Sequence, residues 1–245
     1  MSAGGYYIGG VHALAQAIAQ QRLEKLLLAQ GKQSKKVAGL LEQAKQAGVA
    51  VEEVPLYHLD LLLPNVKHQG VVGQYLPDET GAQSWQQAIA GCEKPLILVL
   101  DSVQDPHNLG ACLRSALAAG VQAVVMGKNN SADITAVVHR VSCGASEVLP
   151  IFRVVNVRRE LQAMQQMGIW LVGGAGGQDK TIYEVNLNTP LALVVGNEGE
   201  GLRHGIAEQC DYLLTIPLDA RMESLNVSVA CGILLFEARR QRLLG

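Results

Sequence analysis

The stretch Ile216-Pro-Leu-Asp-Ala-Arg-Met-Glu-Ser-Leu-Asn-Val-Ser-Val-Ala-Cys-Gly-Ile-Leu-Leu-Phe-Glu237 joins a short apolar strand to an almost wholly apolar helix. Ser224, Asn226 and Ser228 lie between the two, against what reads as buried surface. A buried hydroxyl or amide without a partner costs roughly 1–3 kcal/mol. The first N–H groups of the helix would satisfy these side chains, since Ser and Asn are preferred N-caps. A bound ligand would do so equally well. The helical segment Val227–Phe236 is apolar nearly all round, which predicts burial on most of its faces.

Upstream, Leu96–Leu100 and Leu191–Val195 are continuous apolar runs of the kind buried in parallel sheets. Ala123–Met126, Ile169–Val172 and Tyr212–Ile216 read as further strands, alternating with helices over Leu109–Ala119, Ile134–Val141 and Asn156–Met167. This alternation predicts an α/β domain over residues 96–245, its mostly parallel sheet covered on both faces. Residues 1–77 read as a smaller α/β module. It has helical periodicity at Val11–Gln21 and Ser34–Ala47, with Gly48 as a C′ stop, and β-like runs at Leu26–Ala29, Val49–Val54 and Gly70–Tyr75. Turn residues and acids from Pro77 to Trp85 mark a linker, assigned to residues 78–95.

Composition excludes little by itself. Apolar content of 49% with 17% charged residues suits a globular protein whose aliphatic side chains fill the core, because aromatics are scarce. The five cysteines are scattered without a C-x-x-C pair, which predicts reduced core thiols and no structural metal. No run of 18 apolar residues and no signal-type N-terminus occurs, so a cytoplasmic location without a membrane partner is expected. Net charge is −2, with +2 in residues 1–77 and −2 in each of 78–95 and 96–245. Any RNA contact would therefore need local clusters such as Lys32/Lys35/Lys36, Arg158/Arg159 or Arg239/Arg240/Arg242.

Three loops carry the candidate chemistry. In Asp105-Pro-His-Asn-Leu-Gly-Ala-Cys-Leu-Arg114, Asn108 can cap the following helix, and Gly110 leaves room beside Arg114 one turn later. Gly196-Asn-Glu-Gly-Glu-Gly201 allows close approach of backbone to a ligand and contains Glu198. Each loop alone is equally an ordinary cap or surface turn. No G-x-x-x-x-G-K-[ST] occurs, and Gly173-Gly-Ala-Gly-Gly177 opens no obvious helix, so nucleotide loops of the usual kinds do not fit.

Taken in order, Asn108-x-Gly110-x-x-x-Arg114, Gly196-Asn-Glu-Gly-Glu-Gly201-Leu and Ile216-Pro…Ser224-Leu-Asn-Val-Ser228 closely resemble the three motifs of the SPOUT-class, TrmH-like RNA ribose 2′-O-methyltransferases. The resemblance covers residues 96–245. The N-terminal module is similar to the L30e-like RNA-binding domain of many members, with Gly10-Val-His-Ala13 and Lys67-His-Gln-Gly70 as landmarks. Length and architecture are most similar to the bacterial branch that methylates a guanosine in the peptidyl-transferase loop of large-subunit rRNA. Two departures are Ala220-Arg221, where glycine is common, and Gly9, where an aromatic residue is common.

The resemblance implies a deep C-terminal trefoil knot, S-adenosylmethionine as cofactor, and a homodimer in which the last helix helps complete each site. It implies cofactor contacts from Gly196, Ile216 and Leu225. It also implies catalytic roles for Arg114, Asn108, Glu198, Ser224 and Asn226. A guanidinium is protonated at neutral pH, its pKa lying above roughly 12, so charge stabilisation suits an arginine better than proton abstraction. RNA is the implied partner, not DNA. Two alternatives stay open: methylation of a tRNA guanosine, and a non-catalytic RNA-binding protein that retains the fold.

Overall fold

The computed structural model describes residues 6–19, 21–31, 33–63, 67–75, 83–197, 199 and 201–244. Its elements begin with β1 (Tyr6–Gly9), α1 (Val11–Ala19), β2 (Leu23–Ala29), α2 (Lys35–Gln46), β3 (Ala50–Val54), α3 (Leu56–Leu62) and β4 (Val71–Tyr75). They continue with α4 (Trp85–Ala88), β5 (Leu96–Leu100), α5 (Pro106–Ala119), β6 (Ala123–Gly127), α6 (Ala136–Val141) and α7 (Ala145–Val148). The chain ends with β7 (Ile151–Val154), α8 (Val157–Gln166), β8 (Trp170–Gly174), β9 (Leu191–Val195), α9 (His204–Ala207), β10 (Tyr212–Leu214) and α10 (Val227–Leu244). Two compact units result, one of residues 1–81 with 134–148, the other of 82–133 with 149–245. Residues 76–82 of the turn-rich stretch lie outside the described residues.

The first unit has a four-stranded sheet in the order β1-β4-β2-β3, antiparallel except for the parallel pair β2/β3. Alternation along β2 sends Leu26 and Leu28 to one face, packed with Leu14, Ile18, Val37 and Leu40 of α1 and α2. Leu27 and Ala29 go to the other face, against Leu59 and Leu63 around α3. Ser34 caps α2 by accepting the Val37 N–H at 3.3 Å, and Gly48 follows at φ +73, the conformation of a helix stop. The landmark His68 is buried: its Nδ1 accepts the Gly70 N–H (3.2 Å), so its Nε2–H is left to donate to Asp60 (3.0 Å).

Helices α6 and α7 join this first unit, although their sequence falls inside the stretch assigned to the larger domain. They carry a buried polar network in which the Ser146 hydroxyl bridges His139 Nδ1 (2.7 Å) and the Glu147 carboxylate (3.1 Å). Arg22 donates to the Glu147 carbonyl at 2.6 Å, tying α7 to the start of β2.

The second unit holds a six-stranded sheet in the order β10-β8-β9-β5-β6-β7, every neighbouring pair parallel. Both faces are covered, which is why β5, β6 and β9 are wholly apolar and wholly buried. Ile97, Val99, Val125, Ala192 and Val194 pack against Trp85 and the Leu161 and Met164 face of α8. The opposite face carries α5 and α10, with α10 lying along α5 and against β8 and β9. The edge strand β7 is only half-buried, so it lacks the apolar run that marks the others.

Several boundaries differ from the sequence reading. Helix α10 runs on to Leu244, and Val229 and Phe236 are 49% and 48% exposed rather than buried. Cys92 and Cys143 are exposed, so only part of the thiol set belongs to the core. Cys112 and Cys231 meet between α5 and α10; the hydrogen bond to Cys112 and then burial push the Cys231 thiol upward.

Candidate functional site

Because all six strands run the same way, their carboxyl ends share one edge, where ligands of open α/β sheets bind. There a cleft of about 300 Å³ opens between the ends of β8, β9 and β10 and the start of α10. It is lined by Gly174–Gly176, by Val195–Asn197 with Gly199 and Gly201, by Leu214–Ile216, and by Glu223–Leu225 with Val227.

The glycine loop after β9 closes on itself. Asn197 and Gly201 exchange backbone hydrogen bonds at 2.9 and 3.0 Å, and Asn197 Oδ1 accepts the Gly199 N–H at 2.8 Å. Gly201 takes φ +69, which favours glycine. A Cβ on Gly196 would stand 2.1 Å from the Gly201 carbonyl oxygen, so the first position of the loop must be glycine for packing reasons. Gly174 is less strictly constrained, its missing Cβ leaving space for the tip of Leu234, 2.7 Å from where a Cβ would stand. Gly174-Ala-Gly176 was passed over in the sequence because it opens no helix; the signal was a run of small residues leaving a buried strand.

Asn226 begins α10. Its Oδ1 accepts the Ser228 N–H (2.9 Å) and the Ser228 hydroxyl (2.6 Å), an N-cap geometry. Its Nδ2 donates to Asn108 Oδ1 at 3.0 Å, across 118 residues of sequence. Capping and site-building therefore coincide in one side chain. Ser224 and Asn226 are exposed and Ser228 is half-buried, contrary to the expectation that this polar cluster is sealed in apolar surface. A chain leaving the edge of a sheet can turn polar groups outward even when apolar elements flank it. Replacing Asn226 by alanine is expected to lower stability by about 1 kcal/mol, whereas Asn226→Asp keeps the acceptor and most of that stability. Urea unfolding of both variants checks this; an unchanged midpoint for Asn226→Ala would contradict the cap.

Asn108 does not cap α5. Asp105 does so, accepting the N–H groups of His107 (2.7 Å) and Asn108 (2.9 Å), with Pro106 at the first helical position. Arg114 projects from α5 into solvent. It is not among the residues lining the cleft, and no hydrogen bond or ion pair joins it to a described residue. Glu198 lies outside the described residues. The structure thus brings Gly196, Ile216, Ser224 and Leu225 into one cleft, pairs Asn108 with Asn226, and leaves Arg114 apart from them.

One ion pair, between a buried acid and an exposed arginine, was not anticipated. Asp101, fully buried just after β5, receives the Arg203 backbone N–H (3.2 Å) and its Nε–H (2.8 Å). The hydrogen bond to Asp101 raises the Arg203 guanidinium above its ordinary range. This pair fixes the chain that leaves the glycine loop to the centre of the sheet. Only an acid directly after an apolar strand hinted at it.

Residues 95–236 match the SpoU rRNA Methylase family, and residues 7–80 match the RNA 2′-O ribose methyltransferase substrate-binding domain. The chain is 42% identical to the 23S rRNA (guanosine-2′-O-)-methyltransferase RlmB of Shewanella oneidensis, covering 96% of this chain and 97% of that one. Identity to RlmB of Escherichia coli strain K12 is 41%, covering 96% and 98%. Among solved structures, it is similar to the SpoU methyltransferase AviRb from Streptomyces viridochromogenes in complex with the cofactor AdoMet. That match has a TM-score of 0.83 at 28% identity and covers 99% of this chain and 92% of AviRb.

Proposed function

Because the chain belongs to the SpoU rRNA methylase family, we propose that it transfers the methyl group of S-adenosylmethionine to the ribose 2′-oxygen of a guanosine in 23S rRNA. The target guanosine is assigned to the peptidyl-transferase loop. The observation that carries the reading is the convergence of the loops after β8, β9 and β10 on one cleft at the carboxyl edge of a parallel sheet.

The cleft suits the cofactor. Gly196 sits where a Cβ would not fit and Gly174 and Gly176 carry no side chain, so backbone forms much of the wall, and Ile216, Leu218 and Leu225 offer apolar surface to an adenosyl group. When bound, S-adenosylmethionine supplies a methyl group on a sulfonium, a donor already activated. The protein is left to align the 2′-oxygen with that methyl and to manage the charge that develops as the hydroxyl proton departs. In this reading Gly196, Ile216 and Leu225 hold the cofactor. Ser224 and the Asn226–Asn108 pair orient the ribose, and Glu198 orients a neighbouring group. Arg114 binds a phosphate and stabilises negative charge on oxygen.

The position of Arg114 outside the cleft bears on assembly. Val229 and Phe236, seven residues apart on α10, lie half-exposed, and they suit a face that pairs with a second copy. A homodimer that brings Arg114 of one protomer to the cleft of its partner accounts for both features. The same reading places a deep trefoil knot in the C-terminal domain.

Labelled S-adenosylmethionine incubated with unmodified 23S rRNA and, separately, with tRNA tests the reading. Label is expected in the rRNA. Label confined to tRNA would move the substrate assignment, and no label in either RNA would remove the enzyme reading.

A further inference from the structure

A second cleft, of about 410 Å³, opens on the same edge of the sheet, at the carboxyl ends of β6 and β7. Its volume is within the roughly 300–1,000 Å³ usual for small-ligand sites. Among its lining residues are Asn129, Asn130, Asn156, Arg158 and Arg203, and none is acidic. Carboxylates of the flanking segments are already engaged: Asp133 with Arg153, Glu160 with the Trp85 indole N–H (2.8 Å), and Asp101 with Arg203 of the lining itself. A chain of net charge −2 therefore places two guanidinium groups in one concavity, Arg203 neutralised by Asp101 and Arg158 without a paired carboxylate among the described residues.

Arg158 decides what that concavity takes. It is exposed, and no hydrogen bond or ion pair joins it to a described residue. The other arginine cluster on this unit differs: Arg239 and Arg242 are spent on backbone carbonyls, and Arg240 is paired with Glu237 at 2.8 Å. Arg158 lies in the first turn of α8, capped by Asn156, where the leading N–H groups lack intrahelical acceptors. A Cβ on Gly205 would come 3.8 Å from Arg158 Nη1, so the guanidinium lies beside the glycine that lines the cleft. Gly127 forms another part of the lining, where a Cβ would stand 3.1 Å from the Asn129 carbonyl. Arginine forks, asparagine amides and exposed backbone are the donors that suit a ribose-phosphate.

We propose that this cleft is a subsite for a phosphodiester of the substrate RNA, with Arg158 as its principal contact. The inference rests on the reading of the protein as an RNA methyltransferase. Both clefts share the carboxyl edge, and Arg203, held by Asp101 after the central β5, is part of the second. An RNA strand laid along that edge places the target ribose at the first cleft and a flanking phosphate at the second.

Equilibrium binding of an unmodified 23S rRNA fragment to the full chain, measured across a salt series, tests the subsite. Arg158→Ala is expected to weaken RNA binding about tenfold, the size of a charge-assisted contact. It should also flatten the slope of log Kd against log salt by about 0.7, as for one lost phosphate contact to a single strand. S-adenosylmethionine affinity should match the unaltered protein. Lys94→Ala, which removes one exposed charge just before β5 at the opposite edge, should change neither RNA quantity. RNA binding by Arg158→Ala within twofold of the unaltered protein would overturn the subsite, as would an equal loss in Lys94→Ala. A protein that binds RNA through Arg158 yet transfers no methyl group would leave the subsite standing and overturn the enzyme reading instead.

Discussion

Arg114→Ala is expected to lower methyl transfer at least a thousandfold, about 4 kcal/mol in the activation barrier, while S-adenosylmethionine binds as before. The size follows from the role assigned to it. Removing one preorganised donor from a site of developing oxyanion charge costs roughly 10²–10³ in rate, and loss of a phosphate contact adds to that. The selectivity follows from position. Arg114 stands in solvent on α5, outside the cleft lining and without a polar bond to a described residue, so alanine there disturbs neither the fold nor the cofactor wall. Arg114→Lys should recover little, because a point charge replaces a planar two-pronged donor. Turnover within tenfold of the unaltered protein would take Arg114 out of the reaction.

Gly196→Ala should have the opposite signature: cofactor binding falls by at least about a hundredfold and the protein loses stability. The added Cβ would run into the Gly201–Leu202 peptide group, 2.1 Å from the Gly201 oxygen, 2.2 Å from its carbonyl carbon and 2.4 Å from the Leu202 nitrogen. Backbone cannot rotate away as a side chain can, so relief requires opening the Asn197–Gly201 hydrogen bonds that close the loop. Overpacking of this kind costs roughly 1–3 kcal/mol even where side chains can move. Gly199→Ala is the matched control, since a Cβ there meets nothing nearer than Asn197 Oδ1 at 3.7 Å. Calorimetric titration with S-adenosylmethionine and thermal unfolding separate the two variants; equal behaviour would contradict the packing account.

How much of this was legible in the sequence depends on the distance over which each feature is determined. Leu96–Leu100 and Leu191–Val195 matched their strands residue for residue, because burial on both faces leaves no room for polar alternation. Strand β7 escaped notice because an edge strand, with Arg153 exposed, carries no such run. Helix α3, only seven residues long, is too short to display periodicity. The grouping of residues 134–148 with the first unit could not be read, since it depends on contacts with β1 and α1 more than a hundred residues away.

The site divides along the same line. Ser224 and the glycine turn at Gly196 were marked by local chemistry and Ile216 and Leu225 by the family resemblance, and the structure places all four in one cleft. Asn226 was read as either a cap or a site residue, and it holds both Ser228 and Asn108. Asp101 and Arg203 are 102 residues apart, and neither has a local pattern that announces the other. The exposure of Ser224 and Asn226 was misjudged because apolar neighbours in sequence say little about which way a loop turns its polar groups.

Transfer to a ribose oxygen, not to a base, is the step that the proposed function assigns to the cleft. Nucleoside analysis of 23S rRNA labelled by the protein from methyl-labelled S-adenosylmethionine tests it most directly. The label is expected to migrate as 2′-O-methylguanosine and to sit at a single guanosine. Label on a base nitrogen or carbon, with none on a ribose, would contradict that assignment.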